Sequence, residues 1–210
     1  MSNYENIIKI QEIKKKVNEG DLLSAGRILD TMDIKKIKDI AHLNLIAQVY
    51  AENKRYEEAA DIILRIYDRT KSRKSLFQLV DISIRMNHAE NAELYLDQYR
   101  KIAPKDFDNY IFRYKIDKMK GESFEHLINL LEELKKVEYT ERWAYELAKL
   151  YYKAGMEEEC IRECSDIELW FGEGAYVEKA RILRSTYYSE ADKDKIMEEI
   201  RRRAESINSN

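Results

Sequence analysis

The chain has 210 residues, of which 44% are hydrophobic and 37% charged, and its single proline and six glycines point to an all-helical protein. A formal net charge of -3 gives no general electrostatic reason to bind nucleic acid, and two cysteines, Cys160 and Cys164, cannot make a disulfide framework. No apolar run approaches the roughly 20 residues of a membrane span, and the opening MSNYENIIKIQEIKKK lacks a signal peptide's uninterrupted apolar core, so a cytoplasmic location is expected.

In chain order, residues 5–39 place Gly20 in a turn and Ala25, Leu29 and Met32 on one stripe of a second helix. Residues 40–72 give the clearest unit. Leu43, Ile46, Ala47 and Tyr50 form one stripe, Glu52-Asn53-Lys54-Arg55 interrupts it, and Tyr56, Ala59, Ile63 and Ile66 form the next. Ala47 and Ala59 are expected where the two helix axes approach most closely. Helices this short cannot bury both apolar faces as an isolated pair, so a copy is needed on each side. Residues 73–106 restate the unit through Ala92, Leu96 and Tyr99 and close on Pro104, which would break a helix interior. Residues 107–140 carry Leu127, Leu131 and Leu134 and are one residue longer around Gly121-Glu122. Residues 141–172 carry Cys160, Cys164 and Ile167, with Gly155 at the turn. In 173–206, Tyr176, Ala180 and Leu183 belong to a first helix, and Asp192–Ile207 forms a polar cap with Ile196 and Ile200 inward. Trp170 and Phe171 are expected to clamp repeats five and six together.

Positions equivalent to Ala59, the small residue early in its second helix, are Ala25, Ala59, Ala92, Leu127 and Cys160, at spacings of 34, 33, 35 and 33. With Ile46-Ala47-x2-Tyr50 and Ala59-x3-Ile63, Leu147-Ala148-x2-Tyr151 and Cys160-x3-Cys164, and Pro104 closing a repeat, the chain resembles the tetratricopeptide repeat family. The family pattern is W-x2-L-G-x2-Y, A-x3-F and P. No repeat here has the first-helix glycine, and Val80 and Ser83 replace the glycine and tyrosine of repeat three. The resemblance implies an all-α, right-handed α-α superhelix, a solenoid of about six helix-turn-helix repeats, forming one domain over residues 1–210.

Candidate chemistry is sparse. Cys160 and Cys164 share a helix face but stand at core positions of their repeat, and His42, His88 and His126 are scattered over three others, so no metal is expected. A phosphate loop, an H-E-x-x-H motif, a nucleophile elbow and a dinucleotide fingerprint are all missing, so neither enzymatic activity nor a cofactor is expected. Several of the fifteen tyrosines, such as Tyr50, Tyr56, Tyr67, Tyr99 and Tyr151, fall on core positions. Arg201, Arg202 and Arg203 alternate with glutamates on a terminal, solvated face.

The resemblance also implies that the first helix of each repeat lines a concave groove. In register, repeat two offers Asn44, Gln48 and Glu52, and repeat three offers Phe77, Asp81 and Arg85. Repeat five offers Arg142, Tyr145, Lys149 and Tyr152, and repeat six Val177, Arg181 and Arg184. Cations interleaved with tyrosines suit a peptide bearing acidic side chains or a free carboxylate. The lysine-and-asparagine carboxylate clamp of the chaperone-binding members is not matched, because Asn44 and Gln48 stand at its positions. The expected function is a non-catalytic scaffold that binds a peptide or protein segment, with no membrane partner. Two other readings stand beside it: an RNA-binding helical-repeat protein, which the acidic charge disfavours, and a homo-oligomeric assembly or regulatory domain.

Overall fold

The computed structural model describes residues 3–188, together with Glu198 and Arg202. Among the described residues there are eleven α-helices and no strand. They are α1 Asn3–Asn18, α2 Leu22–Leu29, α3 Ile40–Glu52, α4 Tyr56–Thr70, α5 Arg73–Arg85, α6 Ala89–Ile102, α7 Asp108–Lys120, α8 Phe124–Val137, α9 Glu141–Ala154, α10 Glu157–Phe171 and α11 Ala175–Ser185. A single 3-10 turn, Ile34–Lys36, stands between α2 and α3. The terminal cap read at Asp192–Ile207 lies outside the described residues, apart from Glu198 and Arg202.

The helices gather into two compact units, Met1–Lys120 with α1–α7 and Gly121–Asn210 with α8–α11. In the first, α1 packs on α2, α3 on α4, and α5 on α6, while α4 packs on α5 and α7 on α6. In the second, α8 packs on α9, α9 on α10, and α10 on α11. First helices also meet one another, α1 with α3, α5 with α7, and α9 with α11. Such contacts are what a repeat too small to bury its own faces requires.

The periodic small residues explain the close packing. Ala25, Ala59, Ala92 and Cys160 are fully buried and Leu127 nearly so, with Leu29, Ile63, Leu96, Leu131 and Cys164 one helical turn further along the same stripe. Ala47 is buried as well, so the α3–α4 crossing is formed where neither helix carries a bulky side chain. Each large aliphatic group withdrawn from water in this way contributes about 1.5–3 kcal/mol.

The turn within each repeat has one recurrent backbone solution. Gly20, Lys54, Asn87, Gly121 and Gly155 all have positive φ, between 58° and 78°. Glycine reaches this left-handed conformation without the steric penalty borne by Lys54 and Asn87. The extra residue of repeat four is Glu122, inserted in the turn between Gly121 and the helix-capping Ser123, so α8 keeps its register. Side-chain caps set several helix starts. Asp21, Asp39, Ser72 and Ser123 accept from the backbone N–H of Ser24, His42, Ser75 and His126.

Two buried tyrosines donate their hydroxyls to carboxylates. Tyr99 donates to Asp106 Oδ2 at 2.7 Å, and Arg73 donates to the same carboxylate. Tyr151 donates to Glu132 Oε1 at 2.7 Å. Cys160 and Cys164 are buried free thiols, and burial pushes both above the ordinary thiol pKa. They pack as small apolar groups rather than as nucleophiles.

Candidate protein-binding surfaces

In the first unit, α3 and α5 present one face on which a cavity of about 150 Å³ opens. Gln48, Glu52, Phe77, Asp81 and Arg85 all line it, above the small residues Ala47 and Ala51. Its floor exists because those two alanines leave room beside Phe77. That ring is half-buried and stacks edge-on against Phe112 at 4.8 Å and Tyr99 at 6.1 Å. Asp81 accepts from Arg85 Nε at 2.8 Å and lies 3.9 Å from Lys115 Nζ, so its charge is balanced within the unit. Asn44 does not line the cavity; its amide turns back to the carbonyl of Ile40 at 2.9 Å.

In the second unit, the N-terminus of α11 is fixed by a residue of α9. Glu141 Oε1 accepts from the backbone N–H groups of Tyr176 and Val177, each at 3.2 Å. A carboxylate at a helix N-terminus is favourable both as a hydrogen-bond acceptor and as a charge against the helix dipole. The approach is so close that a Cβ on Gly174 would stand 2.6 Å from that oxygen, and Gly174 has φ +149°. Only glycine permits this junction.

This registration puts two tyrosine pairs side by side. Tyr145 of α9 meets Tyr176 of α11 with ring centroids 5.9 Å apart, and Tyr152 meets Tyr187 at 5.8 Å. Lys149 lies over the Tyr145 ring at 5.3 Å and Lys179 over Tyr176 at 4.8 Å. Arg142, exposed at the start of α9, lies over Trp143 at 5.2 Å. Lys149 also pairs with Glu146 at 2.5 Å, which moderates the positive charge of the face. Burial raises the pKa of the Tyr145 phenol despite the opposing effect of Lys149. Its hydroxyl therefore stays a donor through neutral pH.

Three sequence-based placements are corrected. Arg181 does not face a groove: its side chain is 8% exposed, donating to Glu168 Oε1 at 2.9 Å, to Glu178 Oε1, and to the Gly172 carbonyl at 3.2 Å. Val177 is fully buried. Arg184 is half-buried and bound to Glu168 Oε2 and Ser165 Oγ, both at 2.9 Å. Burial alone would raise the Glu168 carboxyl, but Arg181 and Arg184 outweigh it and hold the group below the usual carboxylate range. The Trp170 clamp is also corrected. Trp170 is 72% exposed and Phe171 half-buried, and both rings pack against Tyr139, at 6.4 and 5.3 Å, in the linker between α8 and α9. Tyr176, Lys179 and Tyr187 are the additions that the structure makes to the face.

No family model matches the sequence, and no curated protein matches it. Solved structures do. MamA from Desulfovibrio magneticus superposes with a TM-score of 0.62 at 12% identity, covering 80% of this chain and 96% of that one. A tetratricopeptide repeat protein from Parabacteroides merdae gives 0.63 at 14% identity, covering 91% and 82%. A thermophilic protein of the same repeat type from Thermus thermophilus gives 0.59 at 14% identity, covering 85% and 96%. At these identities the likeness carries the fold.

Proposed function

From a tetratricopeptide-type helical-repeat fold, we propose that the protein is a non-catalytic scaffold that holds a peptide or an extended segment of a partner protein on its first-helix faces. The observation that carries this reading is the α9/α11 face, where Tyr145–Tyr176 and Tyr152–Tyr187 form paired rings with Lys149 and Lys179 over two of them. Tyrosine supplies rigid apolar area with two rotatable angles, so little entropy is lost on binding, and its hydroxyl donates to carbonyls and carboxylates. The adjacent lysines and Arg142 favour a segment with acidic side chains. On the α3/α5 face, the 150 Å³ cavity has room for one aliphatic side chain of such a segment, with Gln48 at its rim. The preformed helices leave most of the ordering cost to the ligand.

No helix among the described residues is long and apolar enough to cross a membrane. We propose a cytoplasmic location for this scaffold, with Cys160 and Cys164 as free thiols shielded in the core. The test is a fluorescence titration with an acidic, leucine-containing peptide and its lysine-substituted counterpart. Preferential binding of the acidic peptide that is lost in a Lys149→Glu, Lys179→Glu variant is expected; equal binding of both peptides contradicts the reading. Self-association is a second reading, favoured by the exposure of Leu169 at 81% and Trp170 at 72% on consecutive positions of α10. A monomeric mass in solution at high concentration, unchanged by Trp170→Glu, removes it.

A further inference from the structure

The C-terminal end of α10 carries an apolar patch that the second unit leaves in water. Leu169 is 81% and Trp170 72% exposed, and the Trp170 ring rests against Tyr139 at 6.4 Å. The support beneath the patch is fixed. Tyr139 donates to Glu163 Oε1 at 3.1 Å and meets the Phe171 ring at 5.3 Å, and Arg181 donates to the carbonyl of Gly172 just beyond. Two large apolar side chains side by side on a rigid helix end form a patch of the kind that marks an interaction site.

The charges around it are one-sided. Glu138, next to Tyr139, and Glu173, three residues after Trp170, are exposed, and neither has a cationic partner among the described residues. Lys135 lies over the Tyr139 ring at 4.8 Å but is neutralised by Glu163 at 2.6 Å and Asp166 at 3.4 Å. The α9/α11 face has the opposite character. Arg142 and Lys179 are exposed there without an acidic partner among the described residues, beside the exposed ring of Tyr152. An aromatic and aliphatic patch with free carboxylates thus has its complement, aromatic rings with free cations, on another surface of the same unit.

We propose that a second copy of this chain covers the patch, the Leu169–Trp170 end of α10 in one copy docking on the α9/α11 face of the next. This rests on the self-association reading above and adds to it the surface that receives Trp170. The two surfaces differ, so the contact is heterologous: every pair leaves one patch and one face open, and association propagates instead of closing on a two-fold axis. The patch is smaller than the roughly 800 Å² that each partner buries in a stable complex, so the affinity is micromolar or weaker. Its charged border makes it salt-dependent.

Sedimentation equilibrium of the intact protein, from micromolar to millimolar concentration, tests this with two variants. Leu169→Ser, Trp170→Ser removes the patch and keeps every charge; Lys149→Glu, Lys179→Glu reverses the face. Circular dichroism checks that both stay folded, and Leu169→Ser alone replaces the first variant if loss of the Trp170 ring disturbs Tyr139. Wild type is expected to grow beyond a dimer with concentration and to dissociate as salt is raised. Each variant alone is expected to associate about thirtyfold more weakly, the effect of truncating one aromatic anchor. An equimolar mixture of the two is expected to give a one-to-one dimer that does not grow, since one supplies an intact patch and the other an intact face. A wild type that stays monomeric would overturn the proposal together with the self-association reading. Association lost in the patch variant but untouched by Lys149→Glu, Lys179→Glu, or two monomeric variants that fail to pair when mixed, would overturn the proposal alone.

Discussion

Replacing Arg181 with methionine keeps the apolar stem of the side chain, out to about the Nε position, and removes its guanidinium. The group is 8% exposed and makes three hydrogen bonds, to Glu168 Oε1, Glu178 Oε1 and the Gly172 carbonyl. Each hydrogen bond to a charged group contributes about 1.5–3 kcal/mol net, but the three share one desolvated donor and do not add. Breaking a buried ion pair by deleting one partner costs about 3–5 kcal/mol, because the remaining charge stays buried without compensation. Glu168 and Glu178 are themselves about a third exposed and Arg184 still reaches Glu168 Oε2, which places the loss at the lower end, about 3 kcal/mol. In a chain of this size that corresponds to a fall in melting temperature of about 6–12 °C. Urea unfolding of wild type and Arg181→Met, followed by circular dichroism, measures it, and hydrogen exchange shows whether the loosening concentrates in α11. A loss below about 1 kcal/mol would refute the reasoning and return Arg181 to the set of residues available for binding.

Five further outcomes are expected. Glu168→Gln should destabilise at neutral pH and lose its effect as the pH falls through and below the usual carboxylate range, because a carboxyl held below its unfolded pKa contributes stability only while it is ionised; a difference from wild type that stays constant across that range refutes the assignment. Lys54→Gly should raise stability by about 0.5–1 kcal/mol, since the position has φ +60°, and Gly155→Ala should lower it by about 1 kcal/mol, with open space around the new methyl leaving backbone strain as the cause. Ala59→Leu should cost about 1–3 kcal/mol by overpacking the α3–α4 crossing, read as a lower urea midpoint with an unchanged slope. If residues 1–210 form one repeat domain, as the period suggests, calorimetry should give a single transition, whereas two resolved transitions would assign the units Met1–Lys120 and Gly121–Asn210 separate stabilities.

The fold was legible because its determinants are local and periodic. Ala25, Ala59, Ala92 and Cys160 mark buried crossings, and each lies five residues after its repeat's left-handed turn residue. Gly20 and Gly155 announced that turn, whereas Lys54 adopts it against its preference, and Lys54 and Asn87 were visible only as breaks in the apolar pattern. The faces were less legible. Arg181 and Lys149 look alike in sequence, both cations on a first helix, but Arg181 finds Glu168 thirteen residues away across the α10–α11 junction. No spacing rule signals such a partner. Trp170 failed for the opposite reason: an aromatic residue at a repeat junction need not be enclosed, and isolated apolar side chains at the surface are common. A findable signal was passed over in Tyr176 and Lys179, which restate one repeat later the tyrosine-then-lysine pairing of Tyr145 and Lys149.

The most direct measurement is site-specific photocrosslinking in the native host from position 152, where the Tyr152 side chain is exposed beside Tyr187. A defined partner should be captured there, its crosslinked segment should contain acidic residues, and the product should disappear with Lys149→Glu, Lys179→Glu while the fold, by circular dichroism, is retained. Capture that is indifferent to that charge reversal, or a crosslinked segment that is basic, would contradict the assignment of the α9/α11 face as the scaffold's binding surface.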